Sequence, residues 1–291
     1  MMENSVRLHE NSFWYENSQK GLLEQIKWCY GHKYGPNNYN YSNISVDTPI
    51  GIVSPHAGFE CSGPYAALSF ELLKRNSKSP DTVIMLGPNH TGMGSFISLF
   101  PSPGIWKTPL GDLTIDQDIS QEIYQESEKF PDLNIEYDTL AHKNEHSIDN
   151  QIPFLQNIYP KVSIVPICIM DQRYHICSSL GGIIAKIIEK NKTKKNILIV
   201  ASSDFTHHVP HEKAVDQDTK LIDKLIELNL ENANNFKNEK NVTACGFGPI
   251  IALFSAAQKL GKLMGEKIAY GTSGLTCSSK DQVVGYGSLI I

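Results

Sequence analysis

Apolar residues in this chain gather in short unbroken runs, each followed at once by polar text containing Gly or Pro. Residues 49–54 (PIGIVS) lead into Pro55-His56-Ala57-Gly58, and residues 82–86 (TVIML) into Gly87-Pro88-Asn89-His90. Residues 162–169 (VSIVPICI) lead into Met170-Asp171, and residues 196–201 (NILIVA) into Ser202-Ser203-Asp204-Phe205-Thr206-His207. Four to eight apolar residues without alternation suit strands covered on both faces. Helical spacing predicts helices at 21–30, 66–73, 148–158, 180–188, 215–230 and 250–260, and residues 282–291 read as a last strand. The alternation predicts one α/β domain over residues 1–291, its central sheet mostly parallel or mixed and flanked by helices. Residues 37–43 (NNYNYSN) read as a surface loop, or equally as a low-complexity insertion, and the lysine-rich stretch 190–196 as a solvated loop.

Composition narrows the function. With 291 residues, 41% of them apolar, the chain can bury a core unaided. Twenty-six basic against 31 acidic residues give a net charge of −5, against general nucleic-acid binding. No apolar run reaches the ~18–20 residues that cross a bilayer. The start, MMENSVRLHENSFWY, lacks the apolar stretch of a secretory signal. Cys29, Cys61, Cys168, Cys177, Cys245 and Cys277 are scattered without a CxxC pair, which reads as a reduced, cytoplasmic set without disulfides.

The chemistry gathers where strands end. In open α/β sheets ligands bind beyond the carboxyl ends of the strands, and three of the four runs place a histidine there: His56, His90 and His207. If those strands are neighbours, the imidazoles converge, and neutral imidazole is the commonest protein metal ligand. Taken singly, each is as readily a turn residue bonded to backbone. Asp204 stands three residues before His207, so it can orient that ring or cap the segment that follows. His207 and His211 resemble a zinc pair, but Pro210 favours a helix start between them. Cys245 precedes the helix at Ile250, where a helix N-terminus lowers a thiol pKa and suits a soft metal; a buried apolar cysteine is the plainer reading. Glu145 and His146 lie ahead of a helical stretch for which Ser147 is a candidate cap, and would support the ligands or merely the cap.

These motifs, in order, resemble the Memo family over nearly the whole chain. The matching text is Phe13-Trp14-Tyr15, Pro55-His56-Ala57-Gly58, Gly87-Pro88-Asn89-His90, Trp106-Lys107-Thr108-Pro109-Leu110-Gly111, Asp116, Glu145-His146-Ser147-Ile148, Ser202-Ser203-Asp204-Phe205-Thr206-His207 and Cys245-Gly246. The resemblance implies a fold similar to class III extradiol dioxygenases. It implies a metal at His56, His90 and Cys245, with His207 as the acid/base group and Asp204 beside it. Cys245 stands where those dioxygenases use a carboxylate, so the metal implied is iron or copper, with zinc possible, and ring cleavage does not follow. Family context also implies phosphotyrosine-peptide binding in animal members and radical-SAM or AMMECR-type partners in prokaryotes. Three functions fit: a metal-dependent redox enzyme acting on a small molecule, a non-catalytic peptide- or anion-binding module, and a zinc-assisted hydrolase. Without GxSxG or Walker A text, serine-hydrolase and P-loop readings fall away.

Overall fold

The computed structural model of the chain describes residues 5–9, 12–46 and 48–291. The start read as lacking an apolar signal stretch therefore lies partly outside the described residues. Strand β1 (Ser5–Leu8) is followed by helix α1 (Gln19–Gly31), whose N-terminus is capped by the Ser18 side chain. Next come β2 (Gly51–Ser54), α2 (Phe59–Asn76), β3 (Thr82–Pro88), β4 (Ile97–Leu99), β5 (Gly104–Thr108) and β6 (Gly111–Thr114). Helix α3 (Gln117–Ser127), capped by Asp116, leads to β7 (Ile135–Tyr137), α4 (Leu140–Lys143), α5 (Ile152–Ile158) and β8 (Ser163–Ile169). The last part holds α6 (Tyr174–Asn191), β9 (Ile197–Ser202), α7 (His211–Ile226), α8 (Leu230–Lys240), α9 (Phe247–Lys259), β10 (Glu266–Thr272), α10 (Ser273–Thr276) and β11 (Gly285–Ile290).

Eight strands form a mixed sheet in the order β10-β11-β2-β9-β3-β8-β4-β7, and β1-β5-β6 form a small second sheet. The four apolar runs are its central parallel strands, β2-β9-β3-β8. Their side chains alternate between two cores. Ile52, Val83, Met85, Leu198 and Val200 pack on the α1, α2 and α5 side. Val53, Ile84, Leu86, Ile199 and Ala201 pack on the α6, α7 and α9 side. Burial on both faces is why these runs show no period of two. Because β2, β9 and β3 are adjacent and parallel, their carboxyl ends lie side by side. The residues after them, His56, Asp204 and His90, therefore share one edge of the sheet.

The structure corrects several expectations. Residues 215–230 are not one helix: α7 ends at Ile226, Leu228 takes a left-handed conformation, and α8 starts anew at Leu230. Ser147 caps no helix; its hydroxyl donates to Pro88 O at 2.9 Å, and a 3-10 turn at Asp149–Gln151 precedes α5. Residues 37–43 carry two 3-10 turns, Pro36–Asn38 and Tyr41–Asn43. Cys61 and Cys277 are joined in a disulfide across 216 residues, so the reading of all six cysteines as unpaired fails. Sequence spacing could not show it, because two distant segments, the first turn of α2 and the end of α10, bring the sulfurs together. No described helix is long and apolar enough to cross a membrane.

Candidate metal centre

Three imidazoles meet at the carboxyl edge of the sheet. Ligand atoms of His56, His90 and His146 all lie within 4.8 Å of one another, a cluster that could hold a metal ion. His56 is fully buried, whereas His90 and His146 keep partial access to solvent. Cys245, directly ahead of α9, places Sγ 3.2 Å from His56 Nε2. Gly246 permits that approach, since a Cβ there would stand 2.1 Å from Ser202 O.

Hydrogen bonds set which nitrogen each ring presents. Glu145 is the organising acid: its carboxylate accepts the His90 ring Nδ1–H at 2.9 Å and the backbone N–H of His90 at 2.5 Å. It also accepts the N–H groups of His146 and Ser147, each at 2.9 Å. Burial alone would raise the Glu145 pKa, but the His90 hydrogen bond and the nearby imidazoles hold it down at about 2. With Nδ1 engaged, His90 turns Nε2 outward as the lone-pair nitrogen. His56 Nδ1 lies 2.9 Å from Ser202 Oγ, which leaves Nε2 facing Cys245. Burial pushes the His56 pKa well below normal, helped by the neighbouring His90, His146 and His207. Burial likewise lowers His146 to about 4, so both rings are neutral ligands near neutral pH.

His146 differs in setting. Its ring lies flat against Trp14, centroids 3.8 Å apart and planes 2° apart, and stacks on His90 at 4.7 Å and 21°. Phe13, which is 78% exposed, packs edge-on against Trp14. Together they form an aromatic wall at one side of the cluster.

The carboxylate of Asp204 does not orient His207. It is buried and accepts the backbone N–H of His56 at 2.8 Å; burial raises its pKa to about 7, against the backbone hydrogen bonds that lower it. His207 is instead held by Thr243: its N–H donates to Thr243 Oγ1 at 2.7 Å, and its Nδ1 donates to Thr243 O at 3.2 Å. That leaves Nε2 as the basic nitrogen. His211 opens α7 behind Pro210 and bonds Thr272 Oγ1 at 2.8 Å, apart from the cluster. Cys245 does not gain acidity from its helix terminus. Burial and the Asp204 charge push its pKa well above normal, so without a metal the thiol is neutral.

Sequence reasoning missed Thr243, Arg7, Ser202 and Gln151. Arg7, on β1, donates to Glu145 O at 3.0 Å and pairs with Asp149 at 3.1 Å. Asp149 also accepts Trp106 Nε1–H at 2.9 Å, tying the Glu145 segment to the small sheet. Arg7 carried no signal because its partners lie some 140 residues away.

A family model described as Memo-like protein matches residues 11–290. The chain belongs to the Memo family. Similar relatives include a MEMO1 family protein of Sulfurisphaera tokodaii, 42% identical over 94% of this chain and 95% of that one. Another, from Methanocaldococcus jannaschii, is 38% identical over 95% of each chain. Among solved structures, an uncharacterized protein from Escherichia coli K12 superposes with a TM-score of 0.56 and 11% identity, covering 83% of this chain and 98% of that one. At that identity the likeness is one of fold.

Proposed function

We propose that this Memo-family chain is a metal-dependent redox protein whose metal is held by Nε2 of His56, Nε2 of His90 and Sγ of Cys245. The observation that carries the reading is the 3.2 Å between His56 Nε2 and Cys245 Sγ, with both ring Nδ1 atoms engaged elsewhere. Two such ligands on a tetrahedral centre stand roughly 3.5 Å apart, given metal–nitrogen and metal–sulfur bonds of about 2.0 and 2.3 Å. The His56–Cys245 pair therefore fits two positions on one metal, and His90 belongs with His56 and His146 to a cluster whose ligand atoms all lie within 4.8 Å of one another. His146 is the competing third ligand, its ligand atom within 4.8 Å of those of His56 and His90. The His56 and His90 planes cross at 72°, which allows a common point.

Imidazole with thiolate suits copper, iron or zinc, and a bound iron or copper ion would supply one-electron chemistry toward a small organic molecule. The chain's own contribution is binding and proton movement. His207 Nε2 is the group available to take or give a proton near the cluster.

Protein purified without air and analysed for metals tests this. One iron or copper per chain is expected, lost in His56→Ala and Cys245→Ala and retained in His146→Ala. Zinc alone would replace the redox reading with the hydrolytic one, and binding of peptide or anion untouched by chelators would favour the non-catalytic module.

A further inference from the structure

We infer that Ser202 and Gln151 are positioning residues that lock His56 in the Nδ1–H tautomer, so that its Nε2 lone pair faces the metal position. The inference rests on the proposed metal centre for its purpose, but on hydrogen-bond arithmetic alone for its content.

Ser202 Oγ has three close polar neighbours: Ser147 O at 2.6 Å, Gln151 Nε2 at 2.8 Å and His56 Nδ1 at 2.9 Å. A hydroxyl has one proton to give. A carbonyl oxygen can only accept, so that proton goes to Ser147 O. The Gln151 amide nitrogen can only donate, and it fills one lone pair of Oγ. The remaining neighbour, the imidazole, must then donate as well, and the proton resides on Nδ1.

The orientation of Gln151 is itself fixed. Its Nε2 also lies 2.9 Å from Pro55 O and 3.3 Å from Ser54 O. Turning the amide over would set its oxygen against these two carbonyls and leave the Ser202 lone pair unfilled. All these side chains are buried, so water does not compete for the bonds. Asn150 completes the arrangement, donating from Nδ2 to His56 O at 2.6 Å. The Pro55-His56 turn is thus held by side chains of residues 150 and 151, and its ring by residue 202.

The consequence is a preset ligand. A ring free to exchange tautomers would spend part of its time with a proton where the metal bond must form. A locked ring pays none of that cost, and partners of this kind change metal affinity by about 10–100-fold.

Long-range nitrogen–proton correlation spectra of the metal-free full chain read the tautomer directly. A protonated Nδ1 and a bare Nε2 on His56 are expected; a protonated Nε2 would overturn the inference. In Ser202→Ala the His56 pattern should shift toward Nε2–H, and zinc affinity, by competition with a chromophoric chelator, should fall about 10–100-fold. Ser202→Thr, which keeps the hydroxyl, should restore both. If Ser202→Ala fails to fold, the wild-type spectrum still decides. A wild-type chain that shows the Nδ1–H form yet binds no metal would defeat the metal centre and leave the lock standing. Metal binding with an Nε2–H ring in the metal-free chain would do the reverse.

Discussion

Replacing Glu145 with glutamine tests how much one carboxylate holds together at the cluster. The side chain is 2% exposed and accepts four hydrogen bonds, three of them from the backbone of residues 90, 146 and 147. Its pKa falls from 4.5 to about 2, because the His90 hydrogen bond, its charge and that of His146 outweigh the burial that opposes them. A carboxylate depressed on folding stabilises the native state above its unfolded pKa, and that stabilisation is lost as pH falls through the folded value. The full shift corresponds to about 3 kcal/mol, an upper bound at pH 7 because His146 is neutral there and its share of the shift is absent. In Glu145→Gln one oxygen becomes an NH₂, which opposes a backbone or ring N–H. Urea unfolding at pH 7 should show the variant about 1–3 kcal/mol less stable, with the gap lost as pH falls through the folded value of about 2. Metal affinity should drop about 10–100-fold as the His90 ring loses its carboxylate. A variant as stable as wild type at pH 7, binding metal as tightly, would refute the assignment of Glu145 as the organiser.

Three further outcomes follow from the same geometry. His142 is buried and burial lowers its pKa to about 4, so the unfolded chain takes up a proton first on acidification. Between pH 6.5 and 5 the wild type should lose about 2 kcal/mol relative to His142→Gln, read from paired denaturation curves; parallel curves would contradict it. Gly246→Ala places a Cβ 2.1 Å from Ser202 O and 2.7 Å from Ser203 Cβ, so α9 and Cys245 must shift. Calorimetry should record a loss of about 1–3 kcal/mol, with metal affinity falling alongside. Reducing the Cys61–Cys277 disulfide should lower stability by about 2–5 kcal/mol, and a double Cys→Ser variant should match the reduced protein.

The central fold was legible because β2, β3, β8 and β9 are covered on both faces and so leave unbroken apolar runs. The smaller elements left weaker traces. In β10 only Ile268 and the last two residues are fully covered, so no clear period formed. Helix α8 buries only Leu230 and Ala233, and α3 chiefly Ile119 and Ile123, stripes too narrow to stand out. At the cluster, histidines betrayed themselves by standing after strands, and His56 and His90 do meet. His146 was read as a support and lies among them, because the segment between α4 and α5 returns to the sheet edge. The partner of His207 was misjudged in the opposite way. Asp204 is near in sequence, but a strand end points successive side chains apart, and Thr243 reaches His207 from another segment. Ser202 and Gln151 gave no signal, since a hydroxyl or amide acquires its role only when its neighbours are known.

X-ray absorption at the metal edge of the copper- or iron-loaded full chain, compared with Cys245→Ser, addresses the ligand set most directly. Two nitrogen scatterers near 2.0 Å and one sulfur near 2.3 Å are expected, the sulfur absent in the variant. A shell of three nitrogens with no sulfur in the wild type would shift the ion onto His146 and overturn the arrangement argued above.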